Sequence, residues 1–129
     1  MAKLTSDIDL LIILHDSELT YLERLQPFLA IVQYLKKEIS WQNWRTHAGE
    51  PYLSFLVVTE AEAQRNQYVF LDMVAEAIIL KDTAGFFRTR LEELRHRLQE
   101  LGSRKIYLAN GSWYWDLKPN YQLGEVVTL

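Results

Sequence analysis

The stretch TSDIDLLIILHD, Thr5 to Asp16, decides how the rest of the chain is read. Beyond Asp9, the apolar residues Leu10, Ile12 and Leu14 alternate with Leu11 and Ile13, and Ile8 precedes them. A short run that is apolar on both sides and bounded by polar residues suits a strand covered on both faces. Asp7 and Asp9 lie two apart at its mouth, so they project to one side, about 6.5–7 Å apart along the backbone. Aspartate is a poor strand residue and costly to bury unpaired. Two carboxylates this close repel unless a cation or a proton lies between them. The pair therefore reads either as a solvated strand end or as a site for a shared divalent cation. Carboxylate oxygens are the hard ligands that magnesium prefers, usually with substrate phosphates completing the shell. Ser6 offers a hydroxyl or an amide to the same neighbourhood.

Working outward, Asp16 and Ser17 are candidate helix caps. Leu22, Leu25, Leu29, Val32, Leu35 and Ile39 then recur at helical spacing, with Pro27 predicting a kink or a late start. Residues 40–51 (SWQNWRTHAGEP) have no period and read as a loop carrying Trp41 and Trp44. A second strand is expected over residues 52–58. Thr59 with Glu62 matches a capping box that opens a short helix. A helix over residues 67–76 and a short strand over 77–80 follow. The clearest helix has Phe87, Leu91, Leu94, Leu98 and Leu101 as its buried stripe, Asp82 or Thr83 as cap and Gly102 as its end. Asn110-Gly111 between β-rich segments predicts a hairpin with a tight primed turn. This alternation predicts an α/β or α+β fold: one domain over residues 1–129, its core at about 5–80, with a mixed sheet flanked by helices and a C-terminal helix and β-hairpin over 82–129.

The chain has 129 residues, a net charge of −3 and no cysteine. That length suits one domain with a real core. Disulfides and thiolate metal sites are excluded. The slight acidity gives no reason to expect general nucleic-acid binding. No run is long enough for a membrane span and the start lacks a secretory pattern, so the chain reads as cytoplasmic.

SDIDLLIIL resembles the metal-binding strand of the polymerase-beta-like nucleotidyltransferases, above all the minimal members paired with HEPN-domain proteins in toxin–antitoxin systems. The segment from Ala75 to Pro119 resembles the tail of such stand-alone domains. The resemblance implies that Asp7 and Asp9 bind Mg2+ and a nucleoside triphosphate such as ATP, with Ser6 near the phosphates. It implies transfer of a nucleoside monophosphate to a hydroxyl, and a HEPN-type protein as partner. Two parts of the family's apparatus do not appear. The Gly-Ser loop that cradles the triphosphate lies upstream of the aspartates, and only six residues precede Asp7; a complete but degenerate protein, a lost start, or a start supplied by another chain would each account for this. Gly102-Ser103 and Gly111-Ser112 lie far downstream and read as structural. The third carboxylate is expected on the second strand, where Ser54 and Phe55 stand, and Glu50 and Glu60 are out of place. A non-catalytic interaction module is therefore the alternative. A sheet lacking a strand exposes an edge, which predicts a homo- or hetero-oligomer.

Other residues admit two readings each. His15 could face a nucleotide or lie on plain surface. Trp41, Trp44, Trp113 and Trp115 could stack bases or simply pack, and Trp113 and Trp115 share a strand face, which favours packing. Arg88, Arg90, Arg95, Arg97, Arg104 and Lys105 could receive phosphates, yet Glu92, Glu93 and Glu100 interleave them as on a solvated helix face.

Overall fold

A computed structural model of the chain describes residues 7–48, 52–65 and 68–129. The chain forms two compact units, Met1–Ala63 and Gln64–Leu129.

In the first unit, strand β1 (Ile8–Leu14) pairs in parallel with β2 (Leu53–Thr59), in a register running from Ile8 opposite Leu53 to Leu14 opposite Thr59. Two helices make the crossover, α1 (Tyr21–Leu35) and α2 (Ile39–Ala48). Asp16 and Ser17 do not cap α1; they shape the turn before it, the Ser17 amide donating to Asp16 Oδ1 at 2.7 Å. Thr20 is the cap, in a reciprocal box: the Glu23 amide donates to its hydroxyl, and its own amide donates to the Glu23 carboxylate at 2.8 Å. The helix starts before Pro27 and runs through it, although the ring removes one backbone donor.

Residues 40–51 were expected as a loop, whereas α2 occupies Ile39–Ala48. The amides of Lys37 and Glu38 donate to Tyr34 and Leu35 carbonyls, and the Gln42 amide to Glu38, so the chain turns tightly and re-enters helix. Trp41 and Trp44 then fall three residues apart, edge to face with centroids 6.0 Å apart. Helical α1 lays Phe28 against Phe55 of β2, centroids 5.8 Å apart. The buried centre of this unit is Val57 and Val58 of β2 with Ala63 of α3 (Glu60–Ala63). The predicted capping box opens α3: the Thr59 amide donates to Glu62 Oε2 at 2.9 Å, and the Glu62 amide to Thr59 Oγ1 at 3.2 Å.

In the second unit, α4 is Phe70–Glu76, shorter than the expected 67–76. A single 3-10 turn, Thr83–Gly85, leads into α5 (Phe86–Leu101). Residues 77–80 form no strand, because among the described residues no strand lies alongside to take their backbone groups; Ile78 and Leu80 are exposed. Leu91, Leu94 and Leu98 are buried with Phe70 and Leu71, and Phe87 meets Phe70 edge-on at 5.4 Å. Asp82 caps α5 across the 3-10 turn, its carboxylate accepting from the amides of Phe87 and Arg88 at 3.1 and 2.9 Å. Gly102 ends the helix in the left-handed region (φ 68°), its amide donating to Gln99 and that of Ser103 to Leu98. That pair of bonds is a Schellman motif.

Strands β3 (Arg104–Tyr107) and β4 (Trp113–Asp116) pair antiparallel. The hairpin is present, but its turn is not the two-residue primed type. The Gly111 amide donates to the Leu108 carbonyl at 3.0 Å, so Ala109 and Asn110 are the central pair and Gly111 (φ 84°) follows in the left-handed region. This is a three-residue loop closing in a bulge, where only glycine is free of strain. The expected α/β (α+β) class is observed; its parallel and antiparallel pairings occupy separate two-stranded sheets.

Candidate functional site

Asp9 lies in β1 and Asp7 just before it, and both are exposed. Ser6 lies outside the described residues, as does Glu50. Among the described residues, no ion pair or hydrogen bond engages either Asp7 or Asp9, so no internal cation competes for the pair. Ser54 is the β2 residue opposite Asp9, with Leu53 and Phe55 on either side, so β2 brings no carboxylate to them. No cluster of three or more histidine, aspartate or glutamate side chains suited to a metal ion occurs among the described residues. Two exposed carboxylates fit magnesium carried in with a nucleotide, since that ion keeps several waters and phosphate oxygens in its shell. They do not make an all-protein cage, and among the described residues no third acid stands ready to take a proton from a hydroxyl.

His15 and Glu60 are not brought to this place. His15 follows the far end of β1, six residues beyond Asp9, about 20 Å along an extended strand. Its side chain is 91% exposed, with Nδ1 3.1 Å from Glu60 Oε2. Beneath that end of the strands lies an ionic clasp that the sequence reading missed. Arg24, buried on α1, donates to both oxygens of Glu62, at 2.7 and 2.9 Å. Hydrogen bonds from Arg24 and from the Thr59 amide hold the Glu62 carboxyl down at about 2. The capping-box spacing of Thr59 and Glu62 was legible; that an arginine 38 residues away would close over it was not.

Trp113 and Trp115 share a strand face and donate their indole N–H groups to the two oxygens of Asp72 on α4, at 3.1 and 3.0 Å. Lys105 lies opposite Trp115 in β3 and reaches Asp72 at 2.9 Å and Glu76 at 2.7 Å, with the Trp113 ring centroid 4.6 Å away. Burial pushes the Asp72 carboxyl up, but the bonds from Trp115, Lys105 and Trp113 together outweigh it and leave it below its usual range. The hydrogen bond to Glu76 is the largest influence raising Lys105. These two tryptophans are thus committed to holding the hairpin on α4. Asp72 and Glu76 stand four apart on one helix face, a spacing that could have signalled a shared cation.

Much of the basic cluster is similarly engaged. Arg90 donates to the Gln64 carbonyl and pairs with Glu93; Arg95 donates to the Val74 carbonyl and pairs with Glu92. Arg97 donates to the Thr128 carbonyl and pairs with Glu100. These three cations tie α5 to neighbouring backbone within its own unit, whereas Arg88 and Arg104 are exposed. Gly102-Ser103 and Gly111-Ser112 serve the helix end and the hairpin loop, as expected.

Among the described residues, no helix is long and apolar enough to cross a membrane. Comparison with known proteins found no matching family model, no matching curated protein and no matching solved structure.

Proposed function

We propose that this chain is a nucleotidyltransferase-like protein that acts with a HEPN-type protein as its antitoxin-type partner. Asp7 and Asp9 hold Mg2+ with the triphosphate of ATP, and Ser6 meets the phosphates. The observation that carries this reading is the pair itself: two exposed carboxylates, unengaged by any described residue, on one side of the mouth of an apolar strand in a β-α-β arrangement. Held by Asp7 and Asp9, the ion would supply positive charge against the charge gathering on the phosphoryl group. In the transfer, the acceptor hydroxyl oxygen bonds to the α-phosphorus, the bond to pyrophosphate breaks, and the hydroxyl proton leaves. A second reading, an interaction module without activity of its own, is favoured by Ser54 standing opposite Asp9 where a third acid would serve.

Isothermal titration of Mg2+ with ATP into the wild type and into the Asp7→Asn/Asp9→Asn variant tests the first reading. Magnesium-dependent binding that vanishes in the variant supports it. No binding by the wild type, together with capture of a HEPN-type protein by both forms, favours the module.

A further inference from the structure

The two edges of the parallel sheet are finished differently. The Ile8 amide donates to the Tyr52 carbonyl at 2.9 Å, which fixes the parity of the ladder. Ile8, Leu10, Ile12 and Leu14 turn their backbone groups toward β2, so Asp9, Leu11 and Ile13 turn theirs outward. On β2 the outward residues are Phe55, Val57 and Thr59. There the Tyr21 hydroxyl donates to the Phe55 carbonyl at 3.1 Å, and Glu62 accepts from the Thr59 amide at 2.9 Å. Side chains thus occupy the β2 edge at Phe55 and Thr59, while Leu53, outward as well, and Val57 carry no such bond among those described. Among the described residues, nothing occupies the outward backbone groups of Asp9, Leu11 and Ile13.

An open edge of this kind is a template for another strand. The chain itself carries a segment that fits. Residues 77–80 are Ala, Ile, Ile and Leu, apolar at successive positions as a strand buried on both faces must be. Ala77 (φ −66°, ψ 133°), which begins the segment, and Asp82 (φ −146°, ψ 101°), which follows Lys81, are extended, with a bend at Leu80 between them. Ile78 and Leu80 are 86% and 84% exposed, and no strand pairs with the segment.

We propose that the open edge of β1 pairs antiparallel with residues 77–81 of a second copy of this chain. Ile79 lies opposite Leu11 and Lys81 opposite Asp9, while Ala77, whose amide closes α4 on the Met73 carbonyl, offers only its own carbonyl to Ile13. Charge selects both direction and register. The antiparallel arrangement brings Lys81 to the mutually repelling Asp7 and Asp9, whereas a parallel one would bring the Glu76 end of the segment to them. Each copy offers one edge and one segment, and the proposed exchange is reciprocal, which defines a two-fold dimer. The contact meets the proposed nucleotide site at Asp9, so association is measured without magnesium or nucleotide.

Sedimentation velocity of the purified full chain over a concentration series tests it. The expected particle has twice the 15.2 kDa chain mass. Ile79→Pro removes the amide that meets Leu11 and is expected to yield a monomer with unchanged circular dichroism. Should that variant misfold, Leu80→Lys, at a position already exposed, is expected to yield the folded monomer. Lys81→Asp weakens association about fivefold, the scale of a cross-strand charge pair, and Asp9→Lys in the same chain restores it. Hydrogen exchange at Leu11 and Ile13 slows in the dimer. A wild type that stays monomeric throughout, or a dimer indifferent to Ile79→Pro and Leu80→Lys, overturns the proposal. So does assembly only in the presence of a different protein.

Discussion

Arg24 grips Glu62 through two hydrogen bonds, and the same carboxylate accepts the Thr59 amide where β2 passes into α3. One side chain thereby ties α1 to the strand end that α3 leaves. Arg24 is 7% exposed, so truncating it leaves a cavity and removes both guanidinium hydrogen bonds from the Glu62 carboxylate. Arg24→Ala is expected to lower the thermal midpoint far more than Arg97→Ala, whose Glu100 pair lies in solvent. Parallel melts of the two variants check this; equal shifts would remove the clasp from the account of stability.

The same clasp sets an acid limit. The Glu62 carboxyl sits at about 2 in the folded chain against an ordinary 4.5. A depressed folded value means the unfolded chain binds the proton more tightly, so the contribution is complete above 4.5 and is lost as pH falls toward 2. Stability measured by urea melts across that window should fall with pH in the wild type. The fall should be shallower in Glu62→Gln, which has no proton to take up there.

Asp72→Ala removes the acceptor shared by Trp113 and Trp115 and one of the two anions at Lys105. The expected cost is about 1–2 kcal/mol, since Trp115 is half-buried and loses its partner while exposed Trp113 regains water. Tryptophan emission should shift to the red, and Asp72→Asn should recover part of the loss through its amide oxygen. An unchanged spectrum in Asp72→Ala would contradict the indole hydrogen bonds.

Ala84 has φ 55°, left-handed for a residue with a Cβ. Ala84→Gly is expected to stabilise the chain by about 1 kcal/mol, the usual scale of that steric cost offset by glycine's greater freedom when unfolded. A denaturant midpoint that moves down would show that Ala84 is not held in this conformation.

Elements with a strong local period or a fixed turn chemistry were legible in the sequence. The apolar strand after Asp9, the Thr59/Glu62 box and the α5 stripe with its glycine stop each follow from bonds between near neighbours in the chain. The hairpin was visible in Asn110-Gly111, but its loop type depended on where the flanking ladder closes. Helix α2 was missed because its residues carry little apolar period and its two tryptophans mask the rest. The strand expected at 77–80 failed for the opposite reason: an apolar run becomes a strand only beside a partner, and pairing is not a local property. Asp7 and Asp9 stood out by their spacing, and β2 then decided what faces them, Ser54 rather than an acid.

By itself, then, the sequence determined the local elements that near-neighbour hydrogen bonds and side-chain alternation specify, along with two carboxylates at one strand mouth. Only the tertiary structure decided that Arg24 closes on Glu62, that Asp72 gathers two indoles and a lysine, and that side chains occupy the β2 edge at Phe55 and Thr59 while the β1 edge is open. The reason is physical. Each of those relationships joins groups that the chain separates by 33 to 43 residues, or depends on which backbone groups a neighbouring strand leaves unpaired. Such juxtapositions arise from packing, which no local pattern of residues encodes.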